Sequence, residues 1–229
     1  LRKLNRLIAI TALNRFNINK NIAFKELFKL SDKKGKFNIN DLGYLIGPIL
    51  NAGGRLGKSS YASELLSSND LKIVNIKSNE LIKLNNKRKE IETLAINEID
   101  FQDIEIQDKN VIVYYNPNIN EGLIGIIAAR LKDHFNKPSI VITNSNELLK
   151  GSARSVYNYN IGRVIKNLID KDIIITGGGH NMAAGFTLKK DKLKNFENSI
   201  LDDFLKTSSL NNNNFIYDAE ISSLAFNQD

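Results

Sequence analysis

Cysteine is absent from this 229-residue sequence, methionine occurs once, histidine twice and proline three times. The first absence removes disulfides, thiolate nucleophiles and Cys-type zinc sites together, and it fits a reducing compartment, so a cytoplasmic location is expected. Two histidines without clustered carboxylates are too few for an obvious two-metal centre, so no metal-binding residue is expected in the chain itself. With 3 Pro and 14 Gly against 42% hydrophobic and 25% charged residues, the composition excludes collagen, a disordered tail and a small stapled scaffold. Long apolar runs are missing too: nothing approaches the roughly 18 residues of a membrane helix, so no membrane partner is expected. The opening LRKLNRLIAITALNRF is interrupted by charges and no small-residue cleavage site follows, which argues against a signal peptide. The chain starts at Leu1 rather than Met, and further sequence upstream is expected.

The length allows one to two domains with a proper core. A net charge of +7 and a pI of about 9.4 favour a polyanionic partner. Ile, Lys and Asn are abundant, as in an AT-rich genome, so charge alone carries no functional claim.

Helical periodicity dominates the first hundred residues. Leu4, Leu7, Ile8 and Leu13 recur at helical spacing, as do Phe24, Leu27 and Phe28, before Lys33 to Lys36 interrupt. A short amphipathic segment, Asp41 to Ile46, is expected to break at Gly47-Pro48, and Ser59 to Leu66 to form another short helix. The longest pattern runs from about Asp70 to Asp100, with Leu81, Leu84, Ile91, Leu94 and Ala95 along one stripe. Lys83, Lys87, Arg88, Lys89 and Glu90 lie on its other face, read either as a solvated surface or as an electrostatic track. After Asp100 the period changes. Val111 to Tyr115 and Ser139 to Thr143 read as strands flanking a helix from Gly122 to Phe135, a crossover unit that implies a parallel pair. Gly151 to Val156, Asp172 to Thr176 and Ala184 to Leu188 are further strand candidates, with helices at Ile161 to Ile169 and Leu193 to Leu205. Thr207 to Asn214 reads as a linker and Phe215 to Ala219 as the first strand of something further. The fold class is therefore α/β: an N-terminal helical region with a long linking helix, then a mixed-sheet α/β domain.

Three glycine-rich segments carry candidate chemistry. In Thr176-Gly-Gly-Gly-His-Asn-Met-Ala-Ala-Gly185, backbone N–H groups of Gly177, Gly178 and Gly179 can cradle an anion, and His180 is placed to donate to a phosphate or stack on a base. A tight turn with a capping His explains the same residues. Lys150-Gly-Ser-Ala-Arg-Ser155 offers the hydroxyls of Ser152 and Ser155 and the bidentate fork of Arg154, a match to phosphate, or else an edge strand with an exposed Arg. Arg55, in Gly47-Pro-Ile-Leu-Asn-Ala-Gly-Gly-Arg-Leu-Gly57, is held in a glycine-rich connection, against a ligand or simply at the surface. Gly122 and Gly125 read as helix–sheet packing positions, and Asp133-His134 as a helix end rather than a metal site.

In order along the chain, these strings resemble the RecJ family of single-strand-specific DNA exonucleases, in the DHH phosphoesterase superfamily. Asn5-Arg6, the segment Ile46 to Leu56, the segment Leu84 to Glu92, Gly151-Ser-Ala-Arg-Ser155, Gly178 to Gly185 and Tyr217-Asp-Ala-Glu220 carry the likeness. Two departures stand out. Ile119-Asn120 replaces the family's Trp-His, and the family's metal-binding aspartates and Asp-His-His motif have no counterpart here. The resemblance implies residues 1–100 as the end of the DHH domain plus the linking helix, 101–206 as the DHH-associated substrate-binding domain, and 207–229 as a linker and the start of an OB-fold. It implies single-stranded DNA as partner, Mn²⁺ or Mg²⁺ bound by a missing upstream domain, and a place in DNA repair and recombination, with single-strand-binding protein or helicase partners left open. Arg55, Ser152, Arg154, Ser155, Gly177, Gly178, Gly179 and His180 are the implied substrate-binding residues. A non-catalytic nucleic-acid-binding module, or a phosphodiesterase of oligonucleotides or cyclic dinucleotides, are the alternatives.

Overall fold

The computed structural model describes residues 3–35, 37–99 and 109–208. Its helical part comprises α1 (Lys3–Arg15), α2 (Ile22–Leu30), α3 (Gly47–Arg55), α4 (Tyr61–Ser67) and the long α5 (Leu71–Asn97). Side-chain caps start two of them: Asn21 Oδ1 accepts from the Phe24 N–H and Asp70 Oδ1 from the Lys72 N–H. Ala23, Leu27, Phe28, Phe37, Ile46, Ile49, Leu65, Val74 and Leu81 form the core of this part. The expected break at Gly47-Pro48 does not occur. A π-helical stretch, Asp41–Ile46, runs directly into α3, because Pro48 falls in the first turn, where its missing N–H leaves no bond unmade. Arg55 is consequently the last residue of a helix and not part of a loop. The stripe on α5 is also narrower than expected: Leu81 is buried and Leu84, Ile91 and Ala95 pack, but Leu94 is exposed.

The second part holds five strands: β1 (Ile112–Tyr115), β2 (Ser139–Ser145), β3 (Leu148–Arg154), β4 (Thr176–His180) and β5 (Ala183–Leu188), in the order β1-β2-β3-β5-β4. Helix α6 (Ile124–Phe135) joins β1 to β2, which pair in parallel; every other pairing is antiparallel. Helices α7 (Ile161–Asp170) and α8 (Leu193–Ser208) complete the domain, α7 capped by Asn160 Oδ1 on the Arg163 N–H. Residues Ile140, Ile142, Leu149, Ala153, Ala184, Phe186 and Leu188 point to one face of the sheet, where they bury the apolar sides of α7 and α8. Val141 points to the other face and packs under α6 with Ile124, Ile127, Ala128 and Leu131.

Three boundaries move, the first at β3, which runs Leu148–Arg154 instead of Gly151 to Val156. The glycine triplet lies inside β4 rather than after a strand, since Asp172 is in a left-handed turn (φ 55°) and regular pairing begins at Thr176. Helix α8 takes in Thr207 and Ser208, which were expected in a linker. The remainder of that linker and the strand at Phe215 to Ala219 lie outside the described residues.

Candidate nucleic-acid interface

Because side chains alternate along a strand, register decides which residues share a face. Ser152 pairs with Gly185, which pairs with Gly178; Arg154 pairs with Ala183, which pairs with His180. These residues stand on the α6 side of the sheet. Helix α6 packs on β2 and β3 there, whereas all of β4 is exposed, so the β5–β4 half presents a bare surface of small residues. Arg154 and His180 are two strands apart at the same level, about 10 Å at the usual strand spacing.

Register also divides the glycine triplet. A Cβ at Gly178 would meet nothing within 4 Å, and at Gly185 only the Gly151 carbonyl at 3.9 Å. By contrast, a Cβ at Gly177 would lie 2.9 Å from Ile165 Cγ2, and one at Gly179 would lie 2.3 Å from the Ala183 carbonyl oxygen. Gly177 and Gly179 therefore permit packing on the α7 side, and Gly178 bares the backbone on the Arg154 side. This corrects the expectation that all three serve one cradle.

The C-terminal ends of α3 and β3 converge on the start of α6. Arg55 Nη1 donates to the Gly122 carbonyl at 3.0 Å, and a Cβ at residue 122 would sit 2.2 Å from the Arg55 carbonyl oxygen. Arg154 Nη1 donates to Ser152 Oγ at 3.1 Å and to the Ala153 carbonyl at 2.9 Å, while its Nη2 lies against Gly125. The expected packing role of Gly122 and Gly125 is thus what lets both arginines approach the helix end. Neither guanidinium has a carboxylate partner among the described residues, and both are about half buried. Burial lowers both pKa values from the ordinary guanidinium value, with repulsion from Arg88 adding at Arg55, where the Glu92 carboxylate opposes it in part, and repulsion from Arg55 adding at Arg154. Desolvated positive charges without a counter-ion are costly, and an anion relieves that cost. The first turn of α6 adds a positive dipole end.

His180 ends β4 in the open. Its Nδ1 accepts from the Met182 N–H at 3.3 Å, which assigns the neutral ring's proton to Nε2, available to an acceptor outside the chain.

Ser155 does not join this face. It is buried, its Oγ donates to the Tyr159 carbonyl at 2.6 Å and its N–H to the Met182 carbonyl, so the hydroxyl closes the loop after β3. Ser155→Ala is expected to destabilise the fold by roughly 1–3 kcal/mol, the range for leaving a buried acceptor unpaired. Ligand affinity of the folded fraction should not change. A thermal melt beside a binding titration checks this, and weaker binding at an unchanged midpoint would return Ser155 to the site.

Arg88 is likewise not on a solvated face. Its Nη1 donates to Glu92 Oε2 at 2.8 Å, and Arg130 Nε of α6 donates to Glu92 Oε1 at 3.0 Å, which ties the linking helix to the α/β domain. The Arg88–Glu92 spacing of four on a helix was a legible signal; its partner Arg130 had none. At Ile119-Asn120, Ile119 is buried with its carbonyl accepting from Thr143 Oγ1, and Asn120 Oδ1 accepts from the Gly122 N–H. Both residues support the turn into α6. Asp133 pairs with Lys132, and the His134 ring lies edge-on to Phe135.

Comparison with known proteins adds independent findings. A DHHA1 domain matches residues 108–207. The single-stranded-DNA-specific exonuclease RecJ of Bacillus subtilis (strain 168) is 34% identical over 208 residues, 88% of this chain and 26% of that protein. RecJ of Haemophilus influenzae is 34% identical over 170 residues, 71% of this chain and 30% of that protein. The crystal structure of RecJ in complex with Mn²⁺ from Thermus thermophilus superposes with a TM-score of 0.77 at 22% identity, covering 88% of this chain and 30% of that one. The chain therefore spans less than a third of the length of these relatives and shares the fold of that segment.

Proposed function

Because the chain belongs to the RecJ family through a segment that includes its DHHA1 domain, we propose that it forms the nucleic-acid-binding half of a single-stranded-DNA-specific exonuclease. The observation that carries this reading is the Arg55–Arg154 pair: two half-buried guanidinium groups with no ion-paired carboxylate among the described residues, converging on a helix start beside a bare sheet face. A phosphodiester supplies the missing negative charge in the geometry a guanidinium fork prefers. The flat β5–β4 surface suits one extended strand whose backbone must come close. Arg154 and Ser152 hold a phosphate, Arg55 approaches it from α3, Gly178 admits the backbone, and His180 donates from Nε2 or stacks on a base.

In this reading residues 1–100 are the end of the DHH domain with the linking helix, 101–206 the substrate-binding domain, and 207–229 a linker and the start of an OB-fold. The setting is DNA repair and recombination in the cytoplasm. No helix among the described residues is long and apolar enough to cross a membrane. Among the described residues no group of three His, Asp or Glu could hold a metal ion, so the residues present do not fit the Mn²⁺ or Mg²⁺ centre and no step here runs through it. Hydrolysis is assigned to a part of a RecJ-length enzyme that these 229 residues do not span. The contribution of this chain is to bind, orient and hold the strand.

The test is a titration of the whole chain with a single-stranded oligonucleotide and its duplex across a salt series. Single-strand preference is expected, with a log–log salt slope of about −0.7 per phosphate contact. His180→Ala should weaken binding by roughly 1–2 kcal/mol, the scale of one hydrogen bond or stacked base, at an unchanged thermal midpoint. Binding that ignores salt, or that favours duplex, would overturn the reading.

A further inference from the structure

The junction between the helical part and the α/β domain contains a cavity of about 470 Å³ that shares only Arg55 with the site above. Asn51 and Arg55 of α3, Arg88 and Glu92 of α5, and Ile126 and Arg130 of α6 line it. Its wall thus carries three guanidinium groups against one carboxylate. Glu92 is buried and bonds both Arg88 and Arg130, while Arg55 donates to the Gly122 carbonyl and feels Glu92 without an ion pair to it. Arg88 is fixed further by donation from Nε to Asn85 Oδ1 at 3.2 Å. One carboxylate cannot neutralise three cations. A structural brace between two helices needs one arginine and one glutamate; the two additional guanidinium groups exceed that need. The surplus is positive charge in a concave place, with Arg88 largely buried, Arg130 largely exposed and Glu92 bonded to both.

Arg55 connects this cavity to the Arg154 site, since its guanidinium interacts with the charges of both Arg88 and Arg154. The four arginines are thus linked one to the next: Arg154 to Arg55 and Arg55 to Arg88 by repulsion, and Arg88 to Arg130 through Glu92. We infer that the cavity lined by Asn51, Arg55, Arg88 and Arg130 is a second phosphate subsite, taking a backbone phosphate of the same single strand other than the one held by Arg154 and Ser152. The inference rests on the reading of the chain as a single-strand binder. It adds that the strand is gripped at two phosphates, so that binding also ties the helical part to the α/β domain. Glu92 is a positioning residue here: it touches the forks, not the strand.

Asn51→Asp tests the subsite with little risk to the fold, because Asn51 is exposed. Two probes are compared on the whole chain: thymidine 5′-monophosphate, which carries one phosphate, and a 5′-phosphorylated oligothymidylate. The added carboxylate should weaken the oligonucleotide about tenfold, the scale of one charged hydrogen bond, and shrink the salt slope by about 0.7. The mononucleotide should bind as it does to the parent chain. Arg130→Gln should act in the same direction, with its thermal midpoint measured alongside. Parent-like oligonucleotide affinity and slope in Asn51→Asp would overturn the subsite and leave Arg88–Glu92–Arg130 as a brace. Equal weakening of both probes would overturn it too, by placing the effect at Arg154. Failure of the parent chain to bind either probe is a different result: it defeats the single-strand reading itself, and the subsite falls with it.

Discussion

Arg154→Met should lose about a hundredfold in affinity for single-stranded DNA, while its thermal midpoint stays level or rises. The loss corresponds to about 2.7 kcal/mol, within the range for hydrogen bonds to a charged group. Affinity falls because the fork that meets the phosphate is gone. Stability does not fall with it, because the guanidinium is poorly placed in the unliganded chain. Its Nη1 bonds only to Ser152 Oγ and its neighbour's carbonyl, it has no carboxylate among the described residues, and Arg55 repels it. An unbranched apolar side chain of similar length fills the space beside Gly125 without those penalties. Arg154→Lys keeps a charge without the fork and should bind nearly as poorly as the methionine variant. Melting curves with and without oligonucleotide read both effects. A midpoint several degrees lower, with the folded fraction binding normally, would make Arg154 a structural residue.

Neighbouring glycines of one triplet should give opposite outcomes. In Gly179→Ala the new Cβ would lie 2.3 Å from the Ala183 carbonyl oxygen and 2.6 Å from both Cα and Cβ of Ala184. All of these belong to the paired strand, so relief requires separating β4 from β5. A cost of about 3 kcal/mol, the upper end for overpacking, is expected. For a chain of this length that lowers the midpoint by roughly 6–12 °C. Gly178→Ala meets nothing within 4 Å, and alanine is less costly than glycine in a strand, so its midpoint should hold or rise slightly. Its methyl group stands on the open face in the row of Gly185 and Ser152, and single-strand affinity should drop. Equal midpoints for the two variants would show that the register across β4 and β5 is not as described.

The secondary structure was largely legible because its signals are local. Asn21, Asp70 and Asn160 stand where caps are needed, and α5 carries enough of a helical stripe to be drawn nearly to its ends. The runs Val111 to Tyr115 and Ser139 to Thr143 sit within a few residues of β1 and β2. Where the reading failed, a local breaker was overruled by context. Gly47-Pro48 continues a helix since the proline falls in a first turn, and Thr176 to His180 is a strand despite three glycines because β5 supplies the pairing.

Composition and short-range pattern were enough to name Arg55, Ser152, Arg154, Gly178 and His180 as candidates, since the ability to meet a phosphate belongs to residue type and glycine context. Which of them share a face could not be read from the string. Ser155 follows Arg154 directly yet is buried against Tyr159, and Gly179 follows Gly178 yet faces the core, because alternation along a strand has no sign until a partner strand sets it. Arg55 meets Gly122 across 67 positions of sequence, and Arg130 meets Glu92 across 38. The charge environment of each arginine is the sum of such distant neighbours, and Coulomb energy depends on separation in space, not along the chain. Only packing α3, α5, α6 and β3 around one junction brings four arginines together with a single buried carboxylate among them.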